Sequence, residues 1–192
     1  MTEETGIIRA VLEGDTESFR LLVQRYEKPI IRMIANLIND RHICEDVAQE
    51  VFVEIFSSIR GFREESQLST WVYRIAVTKS LEAIRKKRRK KRFAIIERIT
   101  GTDQREQTHG DPGDYHPLAQ IEHRERANAL YAAIEALPDS QRVAFTLHKV
   151  EGLSQKEVSE VMDTSIPAVE SLIHRAKENL RKRLFAFYKG EV

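Results

Sequence analysis

Apolar residues recur along this chain at steps of three and four, with polar residues filling the gaps. Phe19, Leu22, Val23, Tyr26, Ile30, Met33, Ile34 and Leu37 make one stripe, the spacing of a helix that buries one face. Pro29 falls inside it. A proline lacks a backbone donor and crowds the preceding turn, so a kink or helix boundary is expected there. A second stripe is Val47, Val51, Phe52, Ile55, Phe56 and Ile59. A third starts at Trp71 with Val72, Ile75 and Ala76 and weakens after Leu81 and Ile84. No stretch of useful length alternates as a strand does, and nothing repeats. The pattern predicts an all-α protein.

The pattern stops at Thr100–Pro117, TGTDQREQTHGDPGDYHP, which has no Ile, Leu, Val, Met or Phe. With so little apolar area to bury, this stretch cannot offset the entropy of ordering itself. It reads as a flexible linker that, fully extended, reaches roughly 60 Å. Helical spacing resumes with Ala127, Leu130, Tyr131, Ile134 and Leu137. Pro138 stops that helix and opens the next, which carries Val143, Leu147 and Val150 and ends at Glu151-Gly152. Two small helical domains are therefore expected, 1–95 and 120–192, joined by a linker over 96–119.

The most informative stretch of the second domain is Leu153–Leu184. Ser154 and Glu157 form the S-x-x-E pattern of a capping box ahead of an apolar run. Val158, Val161 and Met162 face inward, and Asp163-Thr164-Ser165 is a short polar turn. Ser165 can cap a second helix, with Pro167 tolerated in its first turn. That helix buries Val169, Ile173, Ala176, Leu180 and Leu184 and leaves Ala168, Ser171, Leu172 and Arg175 on another face. Two helices joined by a tight turn match a helix-turn-helix, whose second helix enters the major groove of DNA. An ordinary helical hairpin fits the pattern equally well. The basic tail Arg175, Lys177, Arg181, Lys182 and Arg183 tips the reading toward DNA, because such residues hold phosphates. Ser171, His174 and Arg175 are the best polar readers. Glu170 suits the helix start and can accept from a cytosine amino group.

Charge adds a polarity that the net value of +1 hides. Residues 1–54 hold 6 Lys/Arg against 11 Asp/Glu, whereas residues 55–92 hold 12 against 3. Partners of opposite character are the simpler reading. The positive charge peaks in STWVYRIAVTKSLEAIRKKRRKKR, Ser69–Arg92, an amphipathic segment that carries the only Trp and ends in eight consecutive basic residues. Lys and Arg favour helix, so the helix is expected to run well into Arg85–Arg92. A phosphate backbone alongside would relieve the repulsion within that run. A solvated tail or an import signal is the plainer alternative. Just upstream, the polar loop GFREESQLSTW is bracketed by Phe62 and Trp71, a setting in which an unstacked base can be held. Core packing explains Trp71 equally well. Phe93–Ile99 is left undefined between helix, extended segment and linker.

One cysteine, Cys44, excludes a disulfide framework and fits a reducing compartment. No apolar run approaches the ~18–20 residues that span a membrane, and MTEETGIIRA lacks a signal peptide's basic start. A cytoplasmic protein is expected. His42-x-Cys44 and the scattered His109, His116 and His123 have no metal-ligand spacing, so neither a metal nor an enzyme activity is expected, and no cofactor or small-molecule substrate.

Taken together, EDVAQEVFVEIF, then F-x₆-STWVYRIAV with its basic run, then a polar linker, then LPDSQRVAFTLHKVEGLSQKEVSEVMDTSIPAVESLIHRAKENLRKRL resemble the extracytoplasmic-function (ECF) sigma factors of bacteria. The resemblance spans about Gly14 to Leu184. It implies a non-enzymatic transcription initiation factor that binds core RNA polymerase and directs it to promoters. By that resemblance, Asp46, Gln49, Glu50, Phe52 and Val53 would dock on the coiled coil of the largest polymerase subunit. Phe62, Ser69, Thr70, Trp71, Arg74, Thr78, Lys79, Arg85, Lys86, Arg88 and Arg89 would read and open the minus-ten element. Ser165, Pro167, Ala168, Glu170, Ser171, His174, Arg175 and Lys177 would read the minus-thirty-five element. An anti-sigma partner is implied too. The chain departs from the family at Thr78, often Asn, and at Ala168, Glu170 and Leu172, often Thr, Lys and Arg, so the promoter preference does not carry over. A stand-alone helix-turn-helix regulator, binding a palindromic operator as a dimer, is the alternative, though no heptads support a dimer. The acidic front and the basic middle would be free to contact each other, and the domains are expected to pack together in the free protein, partly covering the DNA faces.

Overall fold

The computed structural model describes residues 3–62, 66–99 and 124–189. Eight α-helices are found among them and no strand: α1 (Glu3–Leu12), α2 (Thr16–Leu37), α3 (Arg41–Ser58), α4 (Leu68–Ile99), α5 (Arg124–Glu135), α6 (Asp139–Phe145), α7 (Gln155–Met162) and α8 (Ile166–Lys189). A 3₁₀ turn, Ile59–Gly61, closes α3, and a π turn, Thr146–Val150, continues α6. The residues of the 100–117 linker lie outside those described.

Short polar residues set the starts of α2 and α3. The Asp15 carboxylate accepts the Glu17 N–H at 3.0 Å, and Asp40 accepts the Ile43 N–H at 3.3 Å. Leu22, Tyr26, Ile30, Met33, Ile34 and Leu37 are all buried, as the spacing predicted. Pro29, however, does not end the helix, which runs unbroken from Thr16 to Leu37. The apolar stripe continues on both sides of it, and burial of Tyr26 and Ile30 holds the helix against α3 across the one missing hydrogen bond. Val47, Val51, Ile55 and Ile59 face that stripe, and Val72 and Ala76 of α4 complete the layer.

Helix α4 is one continuous element of 32 residues. It includes the whole basic run and Phe93–Ile99, extending past the expected boundary at residue 95. Nothing between Leu68 and Ile99 is Gly or Pro, so no local breaker opposes it.

The expected packing of the two halves is present. Val143, Ala144, Leu147, Val158, Val161, Val169 and Ile173 belong to the same contiguous buried cluster as the apolar faces of α2, α3 and α4. Helix α7 lies on α4, and the π turn lies on α2. A smaller cluster, Ala133, Ile134, Leu137, Ala176 and Leu180, joins α5 to α8.

Cys44 sits in the first cluster at 2% exposure and donates its S–H to the Ile38 carbonyl at 3.1 Å. Burial pushes the thiol up to about 11. The folded chain should therefore resist Ellman's reagent at pH 8 and react fully once denatured. Rapid labelling of the native protein would contradict this burial.

Candidate polymerase and nucleic-acid interfaces

Helix α3 turns Val47, Val51 and Ile55 inward, and the opposite residues are forced outward at the same period. Asp46, Gln49, Glu50 and Val53 are all exposed and share one face. Phe52 is half-buried beside them and packs on the core. Val53 is 68% exposed and Phe56 52%. The Phe56 ring meets Phe19 edge-on, with centroids 4.8 Å apart. The result is an acidic, amide-bearing ridge with two uncovered apolar side chains, a surface suited to a helical partner that carries cations beside apolar residues. Phe56 belongs to the apolar stripe by spacing, yet it is exposed. Its place three residues after Val53 was the available signal.

At the start of α4, the Phe62 and Trp71 rings lie 5.3 Å apart and tilted by 48°. Both are half-buried against the core, and residues 63–65 of the loop between them lie outside those described. Ser69 is half-buried and faces Gln67 at 3.5 Å. Thr70 is only 1% exposed, so in this packing its side chain meets protein, not solvent. Arg74 and Thr78 are exposed, and the Thr78 hydroxyl donates to the Arg74 carbonyl at 2.9 Å. Lys79 is drawn toward α3, 3.2 Å from Glu54, and that hydrogen bond raises its proton affinity. Further along, Arg85, Lys86, Arg88 and Arg89 are exposed. Arg85, Arg88, Arg89 and Arg92 fall on one helical face and, with Glu82, line an open depression of about 870 Å³. Arg92 was not among the residues assigned from sequence. Its i+3 and i+7 relation to Arg89 and Arg85 shows the membership.

The capping box of α7 forms as expected. Ser154 N–H donates to Glu157 at 2.8 Å, and Glu157 N–H donates to the Ser154 hydroxyl at 3.2 Å. Asp163 takes the left-handed conformation at the turn, φ 51°, which a short polar side chain tolerates better than most. The Ser165 hydroxyl then accepts the Ala168 N–H at 3.4 Å and starts α8. Val169, Ile173, Ala176 and Leu180 are buried. Ser165, Pro167, Glu170, Ser171, His174, Arg175 and Lys177 are left exposed, with Ala168 half-buried at the margin. Leu172 packs against the core instead of joining that face.

Hydrogen bonds from Ser154 hold the Glu157 carboxyl below its ordinary value of 4.5. Its folded-state pKa is depressed, so its contribution to stability is present above the ordinary value and lost as pH falls through the folded value. Glu157→Gln should flatten the acid limb of the melting-temperature profile below about pH 4.5. An unchanged acid limb in thermal melts would show that the box contributes nothing there.

The chain matches two family descriptions, Sigma-70 region 2 over residues 22–90 and Sigma-70, region 4 over 127–180. RNA polymerase sigma-H factor of Pseudomonas aeruginosa is 32% identical over 189 residues, spanning 95% of this chain and 94% of that protein. ECF RNA polymerase sigma factor SigW of Bacillus subtilis is 30% identical, spanning 92% and 94%. Among solved structures, CnrH in complex with the cytosolic domain of CnrY shares the fold, with a TM-score of 0.68 at 20% identity over 94% of this chain and 96% of that one. The chain belongs to the ECF sigma factors of the sigma-70 family, transcription initiation factors that bind core RNA polymerase and direct it to promoters. These relatives lend no support to the stand-alone dimeric regulator.

Proposed function

We propose that the three exposed faces divide the work of initiation between them. The α3 ridge of Asp46, Gln49, Glu50 and Val53, with Phe52 at its flank, docks on the coiled coil of the largest polymerase subunit. The Phe62–Trp71 corner and the exposed face of α4 capture and open the minus-ten element. The exposed face of α8, Ser165 to Lys177, reads the minus-thirty-five element, and the segment over 96–119 spans the two domains. The observation that carries this reading is α4 itself: a 32-residue helix that begins beside a paired Phe and Trp and displays Arg85, Arg88, Arg89 and Arg92 along one side. Aromatic stacking and a cationic helix are what an opened strand needs.

Two solved structures of this fold are complexes, CnrH with the cytosolic domain of CnrY and the Bartonella quintana sigma factor RpoE with the anti-sigma factor NepR. This chain would likewise be held by a dedicated anti-sigma protein and would act in the cytoplasm, where its polymerase is. No helix among the described residues is long and apolar enough to cross a membrane.

The test is run-off transcription with bacterial core polymerase, this protein and a library of promoter fragments. Transcripts sharing a two-part upstream motif are the expected result. A silent library, with folded protein and a polymerase active on its own control factor, would overturn the reading.

A further inference from the structure

We infer that the free chain shuts off its own minus-ten helix with an acidic latch supplied by the second domain, and that Arg32–Glu151 is the bolt. Among the described residues, polar ties that cross between the halves include those of Arg88, Arg74 and Arg32. The Arg88 guanidinium donates from both terminal nitrogens to the two Asp139 carboxylate oxygens, at 2.9 and 3.0 Å. A flat two-oxygen anion facing that fork is also how a backbone phosphate binds arginine, so Asp139 stands where a phosphate would. Arg74 donates to the Glu160 carbonyl and ties α4 to the first helix of the helix-turn-helix. Arg32 makes three hydrogen bonds to Glu151, at 2.6, 3.1 and 3.2 Å.

Beneath the ties, Leu147, Val158 and Val161 share a buried cluster with Val72 and Ala76. Helix α7 therefore covers part of α4, and two cations of the proposed minus-ten face, Arg74 and Arg88, are engaged by protein. The face of α8 is not covered in this way, because Glu170, Ser171, His174 and Arg175 are exposed. Closure thus acts on strand capture and leaves duplex reading open.

Arg32–Glu151 decides the balance because its partners differ. Arg32 is 57% exposed, whereas the Glu151 side chain is 0% exposed. Removing Arg32 disturbs no core. It leaves a buried carboxylate unpaired, a cost that exists only while the halves are closed, and opening hydrates it. Arg32, on α2, lies outside the three faces proposed for polymerase and DNA. Its loss removes a positive charge, so simple electrostatics says that DNA binding should weaken. The latch says the reverse.

The experiment compares the full-length wild type, Arg32→Ala, and Arg32→Ala with Glu151→Ala. The radius of gyration comes from small-angle scattering, and affinity comes from anisotropy of a labelled oligodeoxythymidine. Arg32→Ala should expand the chain and bind the strand about tenfold tighter, the double variant should return toward the wild type, and circular dichroism should be alike in all three. An unchanged radius, an unchanged or weaker affinity, or no return in the double variant overturns the latch. Should Arg32→Ala lose helix, Arg32→Met keeps the aliphatic stem, leaves the same buried carboxylate unpaired and makes the same comparison. The inference rests on α4 being the strand-binding face, and run-off transcription separates the two. Active transcription with an unresponsive radius sinks the latch alone, and a responsive radius without transcription sinks the promoter reading alone.

Discussion

Asp46→Ala combined with Gln49→Ala should leave a folded protein that no longer docks on core polymerase. Both side chains are exposed on the outer face of α3, opposite Val47, Val51 and Ile55. Alanine is at least as good a helix former as either residue it replaces. The melting temperature should accordingly stay within a few degrees of the wild type. The interface consequence is different in kind. A carboxylate and an amide aimed at a cationic helical partner, beside the uncovered Val53, are the sort of central polar contacts whose truncation costs about 2 kcal/mol or more. At that cost the affinity falls roughly 30-fold. Co-elution with core polymerase and titration calorimetry would measure it. Undiminished affinity would move the docking face away from α3.

The second large effect concerns salt. Arg85→Ala, Arg89→Ala and Arg92→Ala together remove three cations from one side of α4 and spare Arg88, which Asp139 engages. Each phosphate contact releases counterions and adds about 0.9 to the slope of log affinity against log salt for duplex, and somewhat less for a single strand. If all three touch phosphate, the triple variant should bind promoter DNA far more weakly at low salt, and its slope should be shallower by up to about 2.7 for a duplex. Fold should survive, because these residues are exposed and the substitution relieves like-charge repulsion at close helical spacing. Holoenzyme binding to a forked promoter, measured across a salt series, decides it. A parallel shift with no change of slope would mean that the arginines do not meet phosphate.

The two effects separate the functions that the charge polarity suggested. The first acts on the acidic front and should be indifferent to DNA. The second acts on the basic middle and should spare polymerase docking. The latch adds a third term between them, since a chain that keeps Arg74 and Arg88 engaged internally must open before α4 can capture a strand.

Much of this was legible in the residues. Periodicity at three and four places Leu22 to Leu37, Val47 to Ile59 and Val169 to Leu180 on buried faces, and the caps at Ser154 and Ser165 fix where the helix-turn-helix begins and turns. Such features are local: each is set by a few neighbours in sequence and needs no knowledge of what lies across the core. The faces proposed for polymerase and DNA follow from the same rule, because a helix that buries one side must show the other.

What only the tertiary structure decided is how each residue is used once the helices meet. Pro29 fits a boundary by its chemistry, yet burial on both sides carries the helix through it. Phe56 and Val51 share one stripe, but α3 meets its neighbours along a band that takes in Val51 and leaves Phe56 half outside. Thr70 lies within a run assigned to DNA and is packed inside. The pairings of Arg32 with Glu151 and of Arg88 with Asp139 join residues far apart in the chain, and opposite charges scattered along a sequence have many possible partners. The sequence suggested that the acidic front and the basic middle would contact each other. Only the packing of α7 on α4, driven by Leu147, Val158 and Val161 burying against Val72 and Ala76, brings particular carboxylates to particular arginines.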